Sequence, residues 1–288
     1  MDDLATVQTA HSILHPSDDT DASHRAFAHA LRIALANRTD LTLLHVDTAP
    51  LVASSWWHPP AVRSTLRAWG ILEATAPPEA LYEQHGLVVR KTTIAARRTL
   101  DGINSVLAHL STDLVVLSTQ GRAGVHRWVK PSVAEQIARA SHAATLFVPE
   151  GARSFVRLSD GDISLRRILI PIDHSPHAQR AVNIAIRLVE SLSIIPTQVT
   201  LLHVGNTFPS VDLTAPKGWS WHAMSAQGDV VEAIIRTAGE DNADLIVMAT
   251  QGHDGFLDAL RGSTTDRVVR RAPCPVLAVP QDDTNLDC

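Results

Sequence analysis

Residues 244–255 read DLIVMATQGHDG, and residues 113–124 read DLVVLSTQGRAG. Each stretch opens on Asp, runs through a short apolar segment of strand length and ends in Gly-x-x-Gly. Two further matches precede it in both places. LLHV stands at 43–46 and again at 201–204, and ILHPSD at 13–18 is answered by ILIPID at 168–173. Three matches in the same order mean that the chain of 288 residues holds two copies of one unit, each of ordinary domain size. The copies are assigned to residues 1–150 and 167–288. The stretch between them, 151–166, lies within EGARSFVRLSDGDISLRR, whose Gly, Ser and Asp content reads as a linker.

Within a copy the pattern alternates between strand and helix. Ile168 to Ile172 is a short apolar run, and Ser175 before Pro176 is a helix-start signal, because the hydroxyl caps free N–H groups and Pro suits the first helical position. Ala181, Ile184, Ala185 and Leu188 then recur on one face of a helix. Val199 to Val204 reads as a strand, 229–240 as a helix, Leu245 to Ala249 as a strand, Ser263 to Arg271 as a helix and Pro275 to Val279 as a last strand. Apolar strands separated by helices form a parallel sheet covered on both faces. The fold class is α/β, doubly wound (Rossmann-like), with ligands expected at the carboxyl ends of the strands.

Composition narrows the function. A hydrophobic share of 45% with 19% charged residues describes a globular protein, and no run of 18 apolar residues suggests a membrane span. MDDLATVQTA lacks the basic start and apolar centre of a signal peptide, so the cytoplasm is the expected compartment. The net charge of -5 argues against nucleic acid as a partner. Cys274, between prolines, reads as a buried structural thiol. Fifteen histidines form no spacing typical of a metal site, and no metal is expected. His45 and His203 fall inside LLHV and read as packed core residues. No Ser/His/Asp or Cys/His set stands out, so no catalytic residue is assigned. Trp56, Trp57 and Trp69 lie in an interposed segment, with a helix expected from about Val62; they are expected either to face a partner or to pack on the other half.

The glycine loops carry the chemistry. Gly252 and Gly255 let the backbone approach a ligand closely, and Ser263 opens a helix whose free N–H groups favour an anion. The same features also serve a plain strand-to-helix turn, and no Walker lysine is present. Lys130 and Arg261 precede the small residue of each loop and read first as surface charge.

Taken together, ILxPxD, LLHV, DLIVMxTxG and GxxG followed by GS resemble the universal stress protein family, and the tandem arrangement resembles its two-domain members. The resemblance implies two open five-stranded parallel sheets packed as an internal pseudo-dimer through their last strands, TLFV at 145–148 and PVLAV at 275–279. It implies adenine nucleotide, ATP or AMP, as the ligand. The second-half site would comprise Pro171, Asp173, Val204, Met248, Ala249, Gly252, Gly255, Gly262, Ser263 and Thr264. Asp173 would lie at the adenosine and the backbone of Val204 at the base. The first-half counterparts are Asp18, Val46, Gly121, Gly124, Ser132 and Val133.

Three departures separate this chain from the family's ATP-binding pattern. Six residues, not nine, divide the second and third glycines, and Ala249 replaces a glycine. Pro131 stands where Gly262 stands in the second half, which removes an N–H donor. The expectation is a cytoplasmic, non-enzymatic stress-response factor with nucleotide preferentially in the second half. The alternatives are a nucleotide-independent protein-interaction member with an unidentified protein partner, or a slow ATP hydrolase. A homodimer is compatible with either.

Overall fold

The computed structural model describes residues 12–18, 20–48, 57–119, 143–175, 177–194, 198–213, 217–250 and 264–281. The first half contributes β1 (Ser12–Pro16), α1 (Asp21–Asn37), β2 (Asp40–Asp47), α2 (Val62–Ala68), α3 (Ala80–His85), β3 (Val89–Ala95), α4 (Thr99–Leu107), β4 (Leu114–Thr119) and β5 (Ala144–Pro149). The second contributes β6 (Arg167–Pro171), α5 (Gln179–Ser191), β7 (Gln198–Val204), β8 (Ser220–Ala226), α6 (Val230–Glu240), β9 (Leu245–Thr250), α7 (Thr264–Val269) and β10 (Val276–Pro280).

The strand order is β3-β2-β1-β4-β5-β10-β9-β6-β7-β8. Every pairing within a half is parallel, and the two halves meet where β5 and β10 pair antiparallel, with Val276 opposite Phe147 and Ala278 opposite Thr145. The expected pseudo-dimer is therefore one continuous sheet. β5 and β10 are buried along their whole length, because each apolar edge is covered by the other.

Two apolar layers enclose this sheet. One gathers Ile13, Leu41, Leu43 and Ile168 under α1 and α5, and the other gathers Leu14, Leu44, Leu169 and Ile246 under the face that carries α4, α6 and α7. Successive residues of a strand thus enter opposite layers, which is why these strands are apolar throughout. Cys274 is buried, and burial pushes its thiol up to about 12.

Three sequence expectations are amended. First, β3 and β8 are polar and largely exposed, so no apolar run marked them. Second, α5 starts at Gln179 and not at Ser175; His174 and Ser175 lie in a turn, Asp173 and His177 form a bridge, and the Gln179 N–H is received by His177 Nδ1 at 3.3 Å. Third, the segment read as linker is a packed strap. Phe155, Val156 and Leu165 are buried, Val156 and Ile163 form an antiparallel bridge, and Trp69 Nε1 donates to Leu158 O at 2.9 Å. Gly161, at φ +72°, lets the strap lie against Trp69, where a Cβ would come within 2.5 Å of the indole.

Candidate functional site

The carboxyl ends of β6, β7 and β9 lie side by side, and the second-half residues gather there. Pro171 ends β6, with Asp173 two residues beyond it; Val204 ends β7; Met248 and Ala249 lie in the last half of β9; Thr264 is the first residue of α7. Met248 is buried among residues under α6 and α7, while Ala249 packs toward the α5 layer. Gly252, Gly255, Gly262 and Ser263 lie outside the described residues, as do Gly121, Gly124, Pro131, Ser132, Val133, Lys130 and Arg261. In the first half, Asp18 follows β1 by two residues and Val46 is the penultimate residue of β2.

The LLHV histidines have a structural role that sequence alone did not reveal. His203 Nδ1 donates to Ile172 O at 3.1 Å, and His45 Nδ1 donates to Ser17 O at 3.2 Å. Each ring therefore ties the loop that presents Asp173 or Asp18 to the neighbouring strand. Gly205 lies beside this latch, since a Cβ there would come within 2.5 Å of His203 Nε2. His174 Nε2 reaches Thr207 O at 3.0 Å and joins the loops after β6 and β7.

The two aspartates have different surroundings. Asp18 Oδ1 accepts from Thr20 Oγ1 at 2.5 Å and from Thr20 N–H at 3.2 Å, and Thr20 Oγ1 in turn caps α1 by accepting from Ser23 N–H at 3.2 Å. Oδ1 of Asp18 thus supports the helix cap. Asp173 Oδ1 accepts from its neighbour His174 N–H at 2.7 Å, and α5 has no side-chain cap. Both residues are exposed, so Asp173 keeps acceptor capacity facing solvent.

Three more differences follow the same division. Asp47 stands after LLHV where the second half has Gly205, which places a carboxylate beside Val46. Trp57 stacks on the His45 ring, with centroids 5.1 Å apart and an interplanar angle of 8°, whereas Phe208 meets His203 edge-on at 6.0 Å and 76°. Trp57 Nε1 and His45 Nε2 are both buried without a hydrogen-bond partner among the described residues. In the second half, α7 is held to α6 by Arg267 with Asp229 at 3.2 Å and by the forked pair Arg271 with Glu232. Gln136 and Ala140 occupy the matching sequence positions of the first half, so those cations are absent there.

Among the described residues no group of three His, Cys, Asp or Glu side chains could hold a metal ion, and no helix is long and apolar enough to cross a membrane. At this end of the sheet lie an exposed carboxylate at Asp173, Gly205 and the start of α7 at Thr264.

Comparison with known proteins agrees with this organisation. The model of the universal stress protein family matches residues 9–149 and 211–280. A universal stress protein of Methanocaldococcus jannaschii is 28% identical over 149 residues, covering 42% of this chain and 86% of that protein. One of Synechocystis is 29% identical over 150 residues, covering 44% and 94%. The crystal structure of a universal stress protein from Archaeoglobus fulgidus aligns over 96% of this chain and 98% of its own, with a TM-score of 0.63 and 20% identity, a likeness of fold. With both halves matched by the family model and the whole chain by the tandem fold, the protein belongs to the universal stress protein family.

Proposed function

We propose that this chain is a cytoplasmic stress-response factor that binds one adenine nucleotide, ATP or AMP, in its second half, without turning it over. The observation that carries the reading is the contrast between the aspartates: Asp173 faces solvent with acceptor capacity to spare, while Asp18 is held by Thr20. An adenosine hydroxyl or amino group needs such an acceptor. Gly205 supports the reading because it places no side chain beside Val204, whereas Asp47 puts a carboxylate, which opposes an anion, at the corresponding place. Backbone N–H groups and hydroxyls of the 252–264 segment would receive the phosphates, and the sequence offers no specific candidate to activate water.

Calorimetric titration of the full chain with ATP tests this. One site per chain is expected. Loss of a hydrogen bond to a charged group costs about 1.5 to 3 kcal/mol, so Asp173→Ala should weaken binding about tenfold or more. Asp18→Ala should leave it unchanged. Two equal sites, or binding indifferent to Asp173→Ala, would overturn the assignment to the second half. Multiple-turnover phosphate release would overturn the absence of catalysis.

A further inference from the structure

The sheet has two ends, and they are protected differently. β3 carries Arg90 and Lys91, both exposed, with Arg90 paired to Asp40. Charges of this kind are a common defence of an edge strand. β8, SWHAMSA, carries no Asp, Glu, Lys or Arg, and only Trp221 and Ala226 are partly covered. Met224 is 42% exposed.

We propose that β8 is a docking edge for a second copy of this chain, joined antiparallel about Ala223. In a parallel pair each residue turns its N–H and C=O to the same side. Gly205 N–H donates to Ala226 O at 3.0 Å, so Ala226, Met224, His222 and Ser220 face β7. Trp221, Ala223 and Ser225 therefore present their backbone groups outward. A two-fold axis through Ala223 puts Ala223 opposite its own copy and Trp221 opposite Ser225, and each pair exchanges N–H···O bonds in both directions. The large indole meets a small residue, and Met224 falls opposite His222 in a close pair that covers its exposed surface.

The same operation on β3 would line one junction with the arginine and lysine of both copies. Trp221 is held on the α5 side, where it stacks with Trp219, 5.8 Å away at 26°. A self-complementary contact also uses up both open edges at once, and the chain already closes its β5 and β10 edges in this antiparallel way. These points favour a second copy over an unrelated extended segment.

Sedimentation velocity of the full chain over about three decades of concentration provides the test. A monomer–dimer equilibrium is expected. Met224→Lys and Ala223→Pro should each weaken it at least about tenfold, the first by placing like charges in the junction and the second by removing the central N–H. Thr93→Lys, on the β3 edge, should leave it unchanged. Far-UV circular dichroism confirms folding, and Met224→Lys, on an exposed position, decides the matter where Ala223→Pro fails to fold. A chain that stays monomeric throughout, including one that only captures an extended peptide, overturns the proposal. So does a dimer that persists in Met224→Lys.

Discussion

The two halves share a frame and differ in what fills it. Both use LLHV to latch the loop after the first strand, through His45 to Ser17 and His203 to Ile172. The first half then spends its polar groups on itself: Asp18 supports the α1 cap, Trp57 covers His45, and two histidines are enclosed in the core. His15 Nδ1 donates to Val116 O at 2.9 Å and His29 Nδ1 to Arg25 O at 2.8 Å, with both residues fully buried. The second half has Ile170 and Ile184 at those two positions, and its Asp173 is exposed with no helix cap to support. A duplicated unit can therefore keep its strand order while one copy puts the residues at the strand ends to structural use.

The largest expected consequence of this difference is an acid sensitivity that the two buried histidines bring to the first half. Burial holds His15 and His29 down at about 4, below the ordinary 6.5. As pH falls below about 6.5 the unfolded chain takes up protons that the folded chain refuses until about 4, so stability declines across that window and levels off beneath it. Each histidine contributes a loss of about 3 kcal/mol. His15→Ile, which installs the residue found at 170, should narrow the gap between urea midpoints measured at pH 7 and pH 4.5. An unchanged gap would show that these histidines do not govern the acid response.

Trp57→Ala sharpens the comparison at the crevice. Removing a half-buried indole and its stack should cost about 2 kcal/mol in chemical denaturation. If Trp57 is what closes the first half, a second and weaker ATP site should appear in the titration; if Asp47 and Asp18 suffice to exclude nucleotide, the count stays at one. A stability change near zero would mean that the stack on His45 contributes nothing.

The smallest effect is expected from giving the second half the first half's helix residues. Arg267→Gln and Arg271→Ala, copying Gln136 and Ala140, remove exposed ion pairs, and such pairs add little to global stability. The melting temperature should hold, while amide exchange within Thr264–Val269 quickens because α7 loses its ties to Asp229 and Glu232. Unchanged exchange would show that packing of Val268 and Val269 alone holds the helix.

Much of the frame was legible because central strands announce themselves. Ile168 to Ile172 and Leu245 to Ala249 are buried on both faces, so nearly every residue is apolar and the run stands out. The edge strands escaped for the opposite reason: β8 has one neighbour and little cover, and SWHAMSA has no apolar period to read. Ser175 and Pro176 carry a helix-start pattern that the turn after Asp173 overrides. Of the candidate site, Asp173 and Val204 were identified from motif and strand end, whereas the pairings of Arg267 and Arg271 join residues 38 and 39 positions apart and leave no local trace.

By itself the sequence determined that this protein is a duplicated doubly wound α/β unit, because repeats and apolar strand runs are local patterns that hold whatever surrounds them. It also shows where the two copies differ, with Pro131, Asp47 and His15 standing against Gly262, Gly205 and Ile170. Only the tertiary structure decided that the copies share one sheet, that the segment between them is a strap clamped on Trp69, and that Asp18 supports the α1 cap through Thr20 while Asp173 accepts from the N–H of its neighbour His174. Those outcomes depend on which hydrogen-bonding groups and apolar surfaces meet across long stretches of chain, and such meetings are settled by packing.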